Sequence, residues 1–191
     1  MTRSPISSNA GLGAKGEPTP LYEEGKPMAD KLTLKKISAA SIGQALELAD
    51  HYRLLNEPAQ AESICRDILA VDPGHVGAKK ALLLALSDQL IAGALPDAVR
   101  AALDLAKGLP DEYERLYYTG VVHEREGRAH VNREGTFAYS KLRQAADLFE
   151  QAEKIRPAGN DAAILRYNAC VRAIEVYRLK PPADEHDGYW E

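Results

Sequence analysis

The stretch Ala145-Ala-Asp-Leu-Phe149-Glu-Gln-Ala152-Glu-Lys-Ile-Arg-Pro157 decides the fold. Ala145, Phe149 and Ala152 are separated by four and three residues, which places them on one face of a helix. Pro157 follows five residues later, where a proline ends the helix before it. The same spacing recurs twice upstream, at Ala61, Cys65, Ile68 and Pro73 and at Ala98, Ala102, Leu105 and Pro110. Three copies of one helix-then-proline pattern predict an all-α repeat protein.

Another helix precedes the first copy of this pattern. Ser41 and Gln44 have the spacing of a capping box, which predicts a helix start near Ser41. An apolar stripe with helical spacing follows, at Ile42, Ala45, Leu48, Ala49, Tyr52 and Leu55. Pro58 suits the first turn of the next helix, and that helix ends at Asp72-Pro73-Gly74. Two helices of this length with a short turn between them form an αα-hairpin.

This hairpin resembles a tetratricopeptide repeat, a helix-turn-helix unit with a period of about 34 residues. The residues that carry the resemblance are Leu48, Ala49, Tyr52, Ala61, Cys65, Ile68 and Pro73. Ile68 departs from the family pattern, which usually has alanine at that position. The resemblance covers about residues 41–179. It implies an αα-hairpin repeat superhelix, a right-handed tetratricopeptide-like solenoid of three repeats plus a C-terminal capping helix.

The composition along the chain predicts three segments. Residues 1–35 are rich in Gly, Pro and Ser and bury too little apolar surface to offset their ordering entropy, so we expect a disordered arm. Residues 36–180 are expected to form the helical repeat domain, and residues 181–191 an acidic tail. Within the domain we predict repeats over about 41–75, 76–111 and 112–158 and a capping helix over 160–179.

The distances between the prolines that end the repeats show two insertions. Pro110 follows Pro73 by 37 residues, and we place that surplus in the turn around Ile91 to Leu95. Pro157 follows Pro110 by 47 residues, which is about 13 more than the family period. We expect both helices of the third repeat to be longer by about two turns and to meet near Gly135-Thr136. At a rise of 1.5 Å per residue the hairpin would then project roughly 10 Å beyond the body.

Composition and charge exclude several classes of protein. The net charge of -4 argues against a general nucleic-acid or anionic-membrane binder, since such proteins usually carry a basic excess. No apolar run reaches the length of a membrane span, and the first ten residues lack the apolar centre of a secretory signal. The two cysteines have no metal-type spacing, so free thiols in the reducing cytoplasm are expected.

The chemistry-bearing residues do not predict an enzyme. His123-Glu124 is followed by His130, but a metalloprotease helix needs its second histidine four residues after the first, and the spacing here is seven. We therefore interpret the histidines as surface or packing residues, and Cys65 and Cys170 as buried small apolar residues. The glycines of residues 11–16 lack the strand and helix that flank a phosphate loop. No catalytic residue, cofactor or metal is predicted.

The inner surface formed by the first helices of the repeats is one candidate binding site. The residues expected to bind a partner in this groove are Arg53, Lys80, Tyr117, Glu124, Asn168 and Arg172. Some relatives clamp a chaperone's C-terminal carboxylate with lysine, asparagine and arginine in this groove. Only Lys80 and Asn168 come near that pattern, and Asp50 is acidic where the clamp needs a neutral or positive residue, so that activity is not carried over. Tyr117 has a rival role in packing between repeats.

The long third hairpin is a second candidate binding site. Its basic residues are Arg125, Arg128, Arg133, Lys141 and Arg143, and the last four are the expected partner contacts. A charged face in contact with solvent is the simpler interpretation. The functional alternatives are an acidic protein partner or a weak contact with nucleic acid.

The sequence favours a non-catalytic adaptor that binds a peptide or protein in the concave groove. Two alternatives stay open. One is a structural scaffold that self-associates, and the other, with less support from the acidic charge, is a nucleic-acid accessory that uses the basic hairpin 125–143. We expect no membrane partner, and the sequence does not identify the peptide or protein that is bound.

Overall fold

The described part of the chain is entirely helical. The computed structural model describes residues 32–91 and 96–183, which contain a 3-10 turn, seven α-helices and no strand. The 3-10 turn is Ala39–Ser41, and the helices are α1 (Ile42–Leu54), α2 (Pro58–Val71), α3 (Val76–Ile91), α4 (Pro96–Lys107), α5 (Glu112–His130), α6 (Gly135–Lys154) and α7 (Ala162–Val176). Residues 1–31 of the predicted arm, 184–191 of the predicted tail and 92–95 of the predicted surplus turn lie outside the described residues.

Backbone conformation and side-chain hydrogen bonds mark three of the breaks between the described helices. Asn56 has a φ of 60°, a left-handed conformation that ends the first helix just before Pro58. The carboxylate of Asp72 accepts a hydrogen bond from Gly74 N–H at 3.0 Å in the turn after α2. Asp111 caps α5 and accepts from the backbone N–H of Glu114 at 2.8 Å. These three breaks fall where the sequence predicts them, at Asn56-Glu57-Pro58, at Asp72-Pro73-Gly74 and just after Leu109-Pro110.

The predicted capping box at Ser41 is wrong. A 3-10 turn precedes α1, and it places Ser41 at φ -91° and ψ 0° instead of the extended conformation of most N-cap residues. The hydroxyl of Ser41 consequently donates to the carbonyl of Ser38 at 2.8 Å and accepts nothing from the helix. α1 begins where expected but has no side-chain cap.

Neighbouring helices pack against one another along the whole described domain. Each helix contacts the next one in sequence, from α1 through α7. Alternate helices also meet, because α1 contacts α3, α3 contacts α5, and α5 contacts α7. The odd-numbered helices α1, α3, α5 and α7 are called the first helices below, since each of the first three opens a hairpin.

The middle of helix α3 is buried around most of its circumference. Ala81, Leu82 and Leu83 are consecutive, and all three are at most 5% exposed, as expected of a helix that is enclosed by others. Leu84 contacts two apolar clusters, one built mainly from α1 to α4 and the other from α5 to α7. α3 therefore joins the two halves of the core.

The helices α5 and α6 approach closely at two glycines. A β-carbon added to Gly120 would lie 2.7 Å from the ring of the fully buried Phe149. One added to Gly127 would lie 2.9 Å from the side chain of Leu142 and 3.2 Å from the carbonyl oxygen of Ala138. Because both positions lack a side chain, α5 and α6 can approach each other this closely.

The insertion in the third hairpin lengthens both of its helices, as predicted. α5 has 19 residues and α6 has 20, against 13 and 14 for α1 and α2. The expected free projection is wrong, because the far end of the hairpin lies beside α4. His130 and Phe137 share a cavity of about 450 Å³ with Val99 and Leu103.

None of the helices in the described ranges has both the length and the apolar character that a bilayer crossing requires.

We predict opposite effects for two Gly→Ala substitutions. Gly120→Ala should lower the free energy of unfolding by about 1–3 kcal/mol, because the new methyl group overlaps Phe149 in a packed interior. Gly43→Ala should leave stability unchanged or raise it by up to about 1 kcal/mol, since nothing lies within 4 Å of that position and alanine favours a helix. Urea unfolding followed by circular dichroism measures both values. Equal effects at the two positions would contradict the close approach of α5 and α6.

Candidate functional site

Ion pairs join the first helices α1, α3 and α5. The carboxylate of Asp88 on α3 accepts from Arg53 Nε on α1 at 3.0 Å and also pairs with Arg125 on α5. Arg125 donates a further hydrogen bond to the carbonyl of Leu84 at 3.3 Å. Asp50 lies 3.6 Å from the guanidinium group of Arg53. One carboxylate on α3 is therefore shared by arginines from the helices on either side.

A second shared carboxylate joins α5 to α7. Glu124 is 2% exposed, and its oxygens accept from Arg128 Nε at 2.9 Å and from Arg166 Nη1 at 3.1 Å. Arg128 also donates to the backbone carbonyl of Ala169 at 3.2 Å. Burial opposes the charge of Arg166, but Glu124 and Tyr117 together outweigh that effect and raise the pKa of Arg166. The charge ladder is the name used below for Arg53, Asp88, Arg125, Glu124, Arg128 and Arg166.

Lys80 and Glu114 form a third contact between first helices. Lys80 Nζ on α3 donates to Glu114 on α5 at 2.7 Å. This hydrogen bond outweighs partial burial and raises the pKa of Lys80. The pair adds no net charge to the surface.

Tyrosines of α5 lie beside these charges. Tyr117 stacks on Tyr113 with ring centroids 5.8 Å apart and meets Tyr118 edge to face at 5.2 Å. Tyr117 also contacts the core ring of Phe149 at 5.8 Å. Tyr117 and Tyr118 are both half-buried, so they pack inward and keep part of their surface in solvent.

The structure places the predicted groove residues in two groups. Arg53, Lys80 and Glu124 take part in the ion pairs between first helices, and Tyr117 lies in the aromatic cluster next to them. Asn168 is half-buried and Arg172 is exposed, both on α7.

Sequence reasoning missed Asp88 and Arg166 and assigned Arg125 only to the basic hairpin. A signal for such contacts is present in the sequence. Asp88 follows Arg53 by 35 residues, and Glu114 follows Lys80 by 34. Opposite charges separated by about one tetratricopeptide period fall on successive first helices.

The basic hairpin is largely neutralised by its own acidic residues. Arg128 pairs with Glu124, Arg143 with Asp147 at 2.8 Å, and Lys141 with Glu126 at 3.0 Å. Arg133 lies in the turn after α5, is exposed, and forms no ion pair among the described residues. The hairpin therefore presents less free positive charge than its composition indicates.

His123 and the two cysteines of the described chain are buried, whereas His51 is exposed. His123 is 6% exposed and lies 3.4 Å from the carboxylate of Glu126. Burial alone would raise the pKa of Glu126, but hydrogen bonds from His123 and Lys141 lower it. Burial and the nearby acidic residues raise the pKa of Cys65 to about 11 and that of Cys170 to about 12. Both thiols are free, and no group of metal-ligating side chains occurs in the described ranges.

No family model, no curated protein and no solved structure matches this chain. The resemblance to tetratricopeptide repeats stays a prediction from the residues quoted above.

The shared carboxylate of Glu124 generates a prediction about stability. Glu124→Gln should lower the free energy of unfolding by about 1–3 kcal/mol, because two arginines lose their buried counter-charge. Hydrogen exchange of α7 amides should accelerate, since Arg166 connects α7 to α5 through this carboxylate. Denaturant unfolding and exchange followed by mass spectrometry measure the two effects.

Asp147→Asn is the matched control for this substitution. It removes the carboxylate of an exposed ion pair within α6, where water screens the charges, so a change of at most about 0.5 kcal/mol is expected. A loss at Asp147 as large as the loss at Glu124 would show that burial of the shared carboxylate is not what matters.

Proposed function

We propose that the chain is a non-catalytic adaptor of the tetratricopeptide-repeat type. The hairpins α1–α2, α3–α4 and α5–α6 would be its three repeats, and α7 would cover the last apolar face as a capping helix. A peptide or protein partner would bind across the surface of the first helices. Cys65 and Cys170 are free thiols, which favours a cytoplasmic location.

The order of helix contacts supports a stacked array. The second helix of each hairpin contacts the first helix of the next element, as α2 contacts α3, α4 contacts α5, and α6 contacts α7. First helices also contact each other in the order α1, α3, α5, α7. Repeats that meet only their neighbours in this order are typical of solenoid proteins, which bind partners along extended surfaces.

The single observation that carries the proposal is the charge ladder. Its ion pairs cross from α1 to α3, from α3 to α5 and from α5 to α7. Ion pairs thereby link side chains of four different helices. Tyr117 and Tyr118 add aromatic area next to these charges, and tyrosine supplies contact area at a low cost in conformational entropy. Charged and aromatic groups on ordered helices suit recognition of a peptide better than catalysis.

Peptide selection against the full chain tests this proposal. A displayed peptide library should yield binders with Kd values in the micromolar range. The double variant Lys80→Ala, Arg172→Ala should weaken them by about tenfold or more, because it removes one paired and one exposed cation from first helices.

The control is the double variant Arg66→Ala, Arg100→Ala, which removes two cations from the second helices α2 and α4. Both arginine side chains are exposed, so their loss should leave the fold and the selected peptides unaffected. Selected peptides that lose affinity only in this control variant would contradict binding on the first helices. A library that yields no binder would contradict the adaptor proposal itself.

Self-association is a second candidate function, supported by the outer surface of α7. Leu165 is 66% exposed and Val176 is 74% exposed. Both lie on α7, which is the last helix of the described domain and has no further helix packed on its outer face among the described residues. Exposed apolar side chains at the end of a repeat array suit contact with another copy. A molar mass that rises with concentration in sedimentation would support this candidate, and a monomer at high concentration would exclude it.

The nucleic-acid alternative has less support. Three of the four basic residues proposed for it, Arg128, Lys141 and Arg143, already have acidic partners within 3.0 Å. Phosphate contacts would have to compete with those partners.

A further inference from the structure

A cavity of about 450 Å³ lies between α4 and the far end of the third hairpin. Its apolar wall includes Val99 and Leu103 on α4, Ala129 on α5 and Phe137 on α6. All four side chains are half-buried, so this apolar surface is only partly covered. An engineered cavity of about 150 Å³ in another protein holds benzene, so the cavity here has room for a larger ring.

The charged groups that line the cavity balance one another. Arg100 and Lys107 are positive, and Asp104 and Glu126 are negative. Each of the four already has an oppositely charged partner within 3.7 Å. A charged occupant would have to compete with those partners, so a neutral group suits this cavity better.

The ring of His130 adds a hydrogen-bond acceptor to the cavity wall. Its Nδ1 atom lies 2.8 Å from the backbone carbonyl oxygen of Glu126, and because a carbonyl oxygen can only accept, Nδ1 is the donor. In the neutral imidazole Nε2 is then an acceptor, and it forms no hydrogen bond with any described residue. Phe137 meets the same ring edge to face, with centroids 4.7 Å apart. The cavity therefore suits an aromatic ring that carries one N–H or O–H donor.

The chain that leaves α7 passes next to this cavity. Arg178 has a φ of 51°, and the N–H of Leu179 donates to the carbonyl of Ile174 at 3.0 Å, which is the pattern of a Schellman motif at a helix end. Leu179 then lies close to Gly135, where an added β-carbon would be 3.7 Å from the Cδ2 atom of Leu179. Gly135 begins α6, two residues before Phe137 of the cavity wall.

Residues 184–191 lie outside the described residues and contain the aromatic pair Tyr189-Trp190. Trp190 follows Leu179 by 11 residues, and a segment of that length spans up to roughly 36 Å when extended. A path around the end of the hairpin is shorter, since a helix with its side chains is about 10–12 Å across. Trp190 is therefore within reach of the cavity.

We propose that the indole ring of Trp190 occupies this cavity and that its N–H donates to Nε2 of His130. Indole is a neutral ring with a single donor, which matches the balanced charges, the apolar wall and the acceptor of the cavity. The cavity is then a docking site for the chain's own tail, and an aromatic side chain of another protein has to displace Trp190 to enter. This inference does not rest on the adaptor proposal, because none of the predicted groove residues lines the cavity.

The fluorescence of the full chain tests the proposal, since Trp190 is the only tryptophan. The reference is a synthetic peptide of residues 183–191, in which the same ring is surrounded by water. Trp190 in the full chain should emit at a shorter wavelength than the peptide. Acrylamide should quench it at least about twofold less efficiently, as expected when half of the molecules or more are docked. Emission and quenching equal to those of the peptide would overturn the proposal.

A cavity-filling substitution locates the ring. Ala129→Leu places a larger side chain in the cavity and should move the emission and the quenching of Trp190 toward the peptide values. Ala70→Leu is the matched control, because it makes the same change at an exposed position of α2 and should leave both values as in the wild type. Values that stay the same in both variants would show that Trp190 is buried elsewhere and would overturn the assignment to this cavity.

The wild-type chain decides the matter even where Ala129→Leu unfolds it. Nuclear Overhauser effects should connect the ring protons of Trp190 with the methyl groups of Val99 and Leu103. Contacts of these methyl groups with Tyr189 instead of Trp190, or with neither ring, would contradict the proposal. The emission should also be independent of protein concentration. A change toward the peptide value on dilution would show that the ring of a second copy fills the cavity, and would overturn docking within one chain.

Discussion

The helices of this chain depend on one constraint, which is that a helical hairpin leaves an apolar face that only the next helices cover. The second helix α2 packs on both α1 and α3, and α3 is enclosed by helices from both sides. Leu84 contacts both apolar clusters, so the halves of the domain share one core. Each hairpin thus packs on neighbouring helices, and the helices of the long third hairpin approach closely at Gly120 and Gly127.

The same arginines that connect the first helices also form the candidate binding surface. Asp88 and Glu124 are each shared by two arginines, which links three pairs of helices by charge in addition to their apolar contacts. Replacing such buried ion pairs by apolar residues is often neutral or stabilising in other proteins, so stability alone is a weak reason for their presence. A surface that recognises charged groups is a stronger reason. Structure and proposed function therefore rest on one set of side chains.

Helix positions could be predicted from the sequence because their signals are local. The spacing of Ala61, Cys65 and Ile68 predicted one buried face, and all three side chains are fully buried. The contacts that Arg53, Arg125 and Arg166 make with other helices could not be predicted from local spacing. Their partners there lie 35 to 42 residues away in the sequence. The capping box at Ser41 failed because a 3-10 turn changes the backbone conformation that the pattern assumes. A binding surface of the proposed kind could not be predicted from local spacing, since residues of four helices would build it.

The proposed stacking of the first helices in the order α1, α3, α5, α7 is tested most directly by one distance between α1 and α7. Spin labels at Asp50→Cys and Arg172→Cys, both exposed positions, report it by double electron–electron resonance. The native thiols are buried and have raised pKa values, so they should stay unlabelled. An array in the order α1, α3, α5, α7 predicts a separation of about 25 Å or more, because three helix spacings of roughly 8–10 Å lie between the labels. A separation under about 15 Å would show a closed bundle and contradict the stacked repeats.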